Sequence, residues 1–145
     1  MELDRYDRAI LAALQRDGRM SNQELADRIG LSPSPCLRRV RALEEAGLIG
    51  GYHPLVDARK LGLSLMALLR VSMDKHTPER FANFEALECL LITGQKSDYQ
   101  LKIAVRDMDH YQHLLLNRIT RIEGVTGVET HFVLRRIFDH RPLPV

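Results

Sequence analysis

Ser21-Asn22-Gln23-Glu24-Leu25-Ala26-Asp27-Arg28-Ile29-Gly30-Leu31-Ser32-Pro33-Ser34-Pro35-Cys36-Leu37-Arg38-Arg39-Val40-Arg41 carries the signals that decide the fold of the first half of the chain. Ser21 and Glu24 have capping-box spacing, so each side chain can accept from the other's orphan amide, and Met20 and Leu25 are placed as a hydrophobic staple. The helix begun there carries Leu25, Ala26 and Ile29 and stops at Gly30, a residue suited to the left-handed C-terminal position. Leu31-Ser32 form a short connection. Pro33 and Pro35 then fall in the first turn of a further helix, where a missing amide donor is harmless, and this helix runs to Ala46 before Gly47. Upstream, Leu3, Tyr6, Ile10, Leu11 and Leu14 recur at helical steps over about residues 4–16 and are ended by Asp17-Gly18. The order is helix, short helix, tight turn, helix.

Projected at about 100° per residue, the third helix turns Cys36, Leu37, Val40 and Leu43 to one side and Ser34, Pro35, Arg38, Arg41 and Ala42 outward, with Arg39 on the flank. Its arginines occupy the N-terminal half and Glu44 and Glu45 come later, so positive charge and the positive end of the helix dipole coincide. A solvated face explains the charge equally well on its own. In a tri-helical frame with a tight turn, the pattern instead points to double-stranded DNA: Ser32, Pro33, Ser34 and Pro35 permit close approach, and Arg38, Arg39 and Arg41 reach base edges or phosphates.

The whole chain has 145 residues, 45% of them hydrophobic and 28% charged, which suits a packed globular protein rather than a disordered one. Twenty-one Lys and Arg stand against nineteen Asp and Glu, a net charge of +2, so any basic site is local. Apolar stretches such as 65–69 end far short of the roughly 20 residues a membrane span requires, and the acidic start has no leader pattern; the expectation is a soluble, cytoplasmic protein with no membrane partner. Cys36 and Cys89 lie in separate apolar patterns and read as buried fillers, and no histidine has metal-ligand spacing. No phosphate loop, nucleophile elbow or carboxylate pair marks an enzyme, so no catalytic residue, metal or cofactor is expected.

After a possible edge strand or wing at 49–54 and a linker, the period changes at Gly62. Leu63, Leu65, Ala67, Leu69, Val71 and Met73 alternate along one strand face, while Ser64, Met66, Leu68, Arg70 and Ser72 line the other. That second face is apolar in its middle and calls for a cover such as a partner subunit. Thr77-Pro78 starts a helix bearing Phe81 and Phe84; residues 87–92 form a strand; a turn at 94–97 leads into a strand with Tyr99, Leu101, Ile103 and Val105 on one face. Asp107 caps a long helix with Met108, Tyr111, Leu115, Ile119 and Ile122, closed by Gly124, and Val128, Thr130, Phe132 and Leu134 make the last strand. The order β-α-β-β-α-β is the ferredoxin-like split arrangement. Asp98-Tyr99 on this reading is equally a plain hairpin turn.

The run from Gly30 to Val40, followed by Leu43-Glu44-Glu45-Ala46-Gly47-Leu48-Ile49, resembles the winged helix-turn-helix of the Lrp/AsnC family of leucine-responsive, or feast/famine, regulators. Thr93-Gly94, Asp98-Tyr99, Leu101-Lys102, Arg106-Asp107-Met108, Gly124-Val125 and Val128 to Leu134 extend the resemblance over the second half. It implies an α+β chain: a winged helix-turn-helix DNA-binding domain at 1–52, a linker at 53–62, a ferredoxin-like βαββαβ effector-binding and oligomerisation domain at 63–138, and a tail at 139–145. It also implies a sequence-specific transcriptional regulator, a homodimer assembling into a tetramer or octamer. An amino-acid effector would lie near Gly94, Asp98, Tyr99 and Thr130, where a carboxylate suits its ammonium and turn amides suit its carboxylate. Against the family pattern, the turn between Gly94 and Asp98 is one residue longer than usual and the segment 77–89 about two helical turns shorter, so Phe81 and Phe84 cover less of the sheet. The alternative is an architectural DNA-binding protein without a functional effector site.

Overall fold

Three helices open the chain: α1 spans Arg5–Arg16, α2 Asn22–Ile29 and α3 Pro33–Glu45. The computed structural model describes residues 1–74, 78–93, 99–138 and 140–145. These divide into two compact units, Met1–Leu55 with Phe138–Val145, and Val56–Ile137. Ser21 starts α2 as its spacing predicts: its hydroxyl accepts from the Glu24 amide at 3.2 Å, and the Glu24 carboxylate accepts from the Ser21 amide at 2.8 Å. Gly30 ends it at φ 73°, and a side chain there would meet nothing within 4 Å, so glycine is required for its backbone angle and not for space.

The three helices bury Ile10, Leu11, Ala13, Leu25, Ala26, Cys36 and Leu43 against one another. Cys36 is the small apolar filler its pattern suggested, and burial pushes its thiol pKa up. At 49–54, where an edge strand or wing was possible, no strand forms among the described residues. Pro54 lacks a donor, and among the described residues of this unit no strand is available to pair with the segment. Tyr52 fastens the segment instead, its hydroxyl donating to the Glu44 carboxylate at 3.0 Å. The end of the chain also belongs to this unit. There the Leu143 amide donates to the Gln15 side-chain oxygen at 2.6 Å and the Leu143 carbonyl accepts from its nitrogen at 3.1 Å.

The second unit is an antiparallel sheet of β1 (Leu65–Met73), β2 (Glu88–Leu91), β3 (Tyr99–Val105) and β4 (Val125–Phe132), in the order β2-β3-β1-β4. This is the ferredoxin-like order. Register puts Leu69 opposite both Leu101 and Thr130, and Val71 opposite both Tyr99 and Val128. Ala67, Leu69, Val71, Tyr99, Leu101, Ile103 and Val105 are buried on this face, together with Tyr111, Leu114 and Ile119. The opposite face carries half-buried Met66, Leu68 and Ala104, and two charge pairs in register, Arg70 with Glu129 and Lys102 with Glu88.

Two expected helices differ from their patterns. Thr77 lies outside the described residues, and in place of a helix bearing Phe81 and Phe84 there is one 3-10 turn, Pro78–Phe81. Too few residues separate β1 from β2 for a crossover helix of several turns. β2 consequently lacks cover: Leu91 is 63% exposed, and Cys89, expected to be buried, is exposed. The long helix after Asp107 is α4 (Met108–Leu114) continued as a π turn over Leu115–Ile119. Five-residue steps bring fully buried Ile119 back to the side of Leu114, a phase that a regular α-helix would miss. Met108, expected on the apolar stripe, is 55% exposed at the first helical position.

Leu43 has no exposed surface and joins α3 to the three-helix core. Leu43→Ala is expected to destabilise the N-terminal unit by about 2–5 kcal/mol, through lost burial and the cavity left behind. Urea denaturation followed by circular dichroism checks this; a midpoint unchanged from wild type refutes the packing role.

Candidate nucleic-acid interface and effector region

α3 begins at the Ser32-Pro33-Ser34-Pro35 shoulder. Ser32 is its N-cap in extended conformation, and its side chain makes no capping hydrogen bond, while Pro33 occupies the first turn without leaving an amide unsatisfied. Asn22 at the start of α2 donates to the Pro33 carbonyl at 2.8 Å, tying the two helix N-termini across the turn. Ser32, Pro33 and Ser34 are exposed and Pro35 is half-buried. Cys36 and Leu43 face the core, which turns Arg38 and Arg41 to solvent. Among the described residues, neither of these arginines pairs with an acid. No acidic residue lies in the first turn of α3, so its positive end is not neutralised locally.

Arg39, expected with Arg38 and Arg41 on the DNA side, is turned to α1. Its Nη1 lies 2.8 Å from Asp4 Oδ2 and 2.8 Å from Asp7 Oδ1, and the guanidinium sits 5.3 Å from the centre of the Tyr6 ring. The flank position that helical projection assigned it is the edge where α3 meets the start of α1. Both aspartates have a second duty. Asp4 Oδ1 accepts from the amides of Tyr6 at 2.8 Å and Asp7 at 2.9 Å, while Asp7 Oδ2 accepts from the Asp4 amide at 3.1 Å. One oxygen of each carboxylate closes the capping box of α1, and the other holds Arg39. The Asp7 amide, then burial, then Arg39 act on the Asp4 carboxyl, and the net result is a pKa below its usual 3.8. The hydrogen bond to Asp7 leads the causes that raise the Arg39 pKa, so its charge is permanent. The spacing Asp4-x-x-Asp7 was the available sequence signal, a capping box as legible as the one at Ser21.

In the second unit, Gly94 and Asp98 lie outside the described residues. Tyr99 is 1% exposed, its ring 4.9 Å from that of Phe81, and serves as a core side chain at the start of β3. Thr130 sits on the same sheet face, across β1 and staggered from Tyr99 by two residues. Its hydroxyl lies 2.5 Å from that of Tyr111, whose ring packs edge-on to Phe132 at 5.0 Å. Tyr111 was legible in the sequence only as part of the α4 apolar stripe; its hydroxyl partner on β4 is a tertiary contact. Among the described residues no cluster of three His, Cys, Asp or Glu could hold a metal, and no helix is long and apolar enough to cross a membrane.

Residues 3–49 match the family model of winged helix-turn-helix DNA-binding domains, and residues 66–143 match the Lrp/AsnC ligand binding domain. The leucine-responsive regulatory proteins of Salmonella typhimurium and Escherichia coli K12 are each 42% identical over 144 residues, covering 94% of this chain and 87% of theirs. A transcriptional regulator of Neisseria meningitidis, solved in complex with L-Met, superposes with a TM-score of 0.91 at 39% identity, over 99% of this chain and 97% of that one. E. coli AsnC superposes with a TM-score of 0.87 at 29% identity, over 97% and 98% of the respective chains.

Asp4 has a depressed folded pKa, so the stability it supplies is fully present above its unfolded value and is lost as pH falls through the folded one. The N-terminal unit is therefore expected to hold its midpoint from about pH 7 to 5 and to weaken below about pH 4. Asp4→Asn, which keeps an oxygen for the cap but not the charge, should flatten that acid limb in thermal melts; an acid limb identical to wild type counts against the assignment.

Proposed function

Because this chain belongs to the Lrp/AsnC family of DNA-binding transcriptional regulators, we propose that Ser32, Pro33, Ser34, Pro35, Arg38 and Arg41 form the surface of α3 that enters the major groove. The observation that carries this reading is the pair of exposed arginines, without acidic partners among the described residues, at the positive end of a helix anchored through a tight turn. Ser32 and Ser34 suit phosphate oxygens, and Arg38 and Arg41 suit base edges. As a regulator of chromosomal DNA the protein acts in the cytoplasm.

In the C-terminal unit the proposed effector is an amino acid. Asp98 takes its ammonium, amides at the Gly94 turn take its carboxylate, and Thr130 borders the site. Tyr99, buried in the core, acts by anchoring the start of β3, the residue after Asp98 in sequence. The L-Met complex of the Neisseria relative supports an amino acid as the class of ligand. The open sheet face, with Met66, Leu68 and Ala104, suits a second copy of the chain, giving a homodimer that assembles further into a tetramer or octamer. Paired α3 helices across such a two-fold would read a roughly palindromic site, and effector binding between dimers would alter their spacing. The single 3-10 turn between β1 and β2 favours a second reading, an architectural DNA-binding protein without effector response.

Light scattering of the purified chain with each of the twenty amino acids, with and without its own promoter DNA, separates the two. Regulation predicts a ligand-dependent mass or DNA affinity. The architectural reading predicts a fixed mass with salt-sensitive DNA binding, and a monomer would refute the sheet-to-sheet dimer. Arg38→Ala is expected to lower specific binding by about 1–3 kcal/mol if this side chain reads a base, and to flatten the salt dependence if it touches only phosphate. Unchanged affinity removes Arg38 from the interface.

A further inference from the structure

Arg39 lies between Arg38 and Arg41 in sequence and belongs to neither their face nor their environment. Its guanidinium is one-third exposed, yet a single nitrogen, Nη1, reaches both Asp4 and Asp7 at 2.8 Å, and the guanidinium carbon lies 5.3 Å from the centre of the Tyr6 ring. Asp7 is 3% exposed, the one charged side chain buried among the described residues. Pulling Arg39 out to a DNA phosphate would leave that buried carboxylate without its cation and bring a third anion to a place where two already stand.

We propose that Arg39 is a positioning residue for DNA recognition: it sets the rotation of α3 against the α1 capping box, and thereby the direction in which Arg38 and Arg41 leave the protein, without itself contacting DNA. The inference rests on the reading that α3 enters the groove. Its physical basis is the shared use of each carboxylate. Asp4 and Asp7 are held by the amides they cap, so the oxygens left for Arg39 point in directions set by the α1 backbone. The apolar packing of Cys36, Val40 and Leu43 is non-directional and permits small rolls of α3, whereas a charged group bound to two fixed oxygens resists them. Small rotations matter at this place, because bidentate contact with a base edge tolerates little misalignment.

Binding of the full chain is measured over a range of salt to two duplexes of equal length: one selected by the wild-type protein from a random-sequence pool, the other of unrelated sequence. Arg39→Gln and Asp7→Asn are each expected to reduce affinity for the selected duplex about tenfold and for the unrelated duplex far less, with the salt slope unchanged. The double variant should be no worse than the stronger single one. The proposal is overturned if Arg39→Gln lowers the salt slope by about one and weakens both duplexes equally, the signature of a lost phosphate contact, or if Asp7→Asn tightens binding by releasing the arginine. Should Arg39→Gln fail to fold, Arg39→Lys, which keeps a cationic donor but not the planar contact with Tyr6, is expected to lie between wild type and Asp7→Asn in discrimination; wild-type discrimination in both Arg39→Lys and Asp7→Asn refutes the role. Arg38→Ala separates this inference from its premise. Loss of binding in Arg38→Ala with no effect at Arg39 or Asp7 overturns only the positioning role, whereas no effect at Arg38 or Arg41 overturns the α3 interface and the inference together.

Discussion

A buried carboxylate needs a cation or a full set of donors, and Asp7 receives both from different helices: an amide of the α1 capping box and the guanidinium of Arg39 on α3. The start of α1 and the middle of α3 are thereby joined through polar groups of fixed direction, while Ile10, Leu25, Cys36 and Leu43 supply the non-directional burial. Apolar contact alone determines that three helices pack. The charged contact adds an angular constraint between α1 and α3.

The second unit is organised by β1. It lies between β3 and β4 and is the strand on which both faces of the sheet converge. Its odd-numbered residues meet α4 and the π turn, and its even-numbered ones form an open face of half-buried apolar residues edged by paired charges. Opposite charges facing one another in register, Arg70 with Glu129 and Lys102 with Glu88, favour this alignment of the strands. The short connection between β1 and β2 has a local consequence: a sheet edge with exposed Leu91 and Cys89 where a helix of several turns would lie.

Much of this was written in local pattern. The capping box at Ser21, the left-handed Gly30, the prolines opening α3 and the alternation along β1 and β3 are all consequences of nearest-neighbour chemistry, and the structure carries each of them. The same is true of the exposure of Arg38 and Arg41, because Cys36 and Leu43 fix the phase of the helix. The misses share a cause. Arg39 was assigned by its neighbours in sequence, but its partners lie thirty-odd residues away; Cys89 was assigned to the core by its apolar surroundings, but among the described residues it is exposed on β2. At 49–54 no strand forms among the described residues, and the long helix continues as a π turn that brings Ile119 into the core.

Sequence by itself determined the order of the three N-terminal helices, the caps at Ser21 and Gly30, the faces of β1 and β3 and the family, since these depend on residue types at short, fixed spacings. Tertiary structure alone decided that Arg39, unlike Arg38 and Arg41, is held by Asp4 and Asp7, that Tyr99 is a core ring, and that the Thr130 hydroxyl pairs with Tyr111. Those outcomes depend on which distant group can reach a buried charge or hydroxyl, and periodicity along the chain carries no information about that.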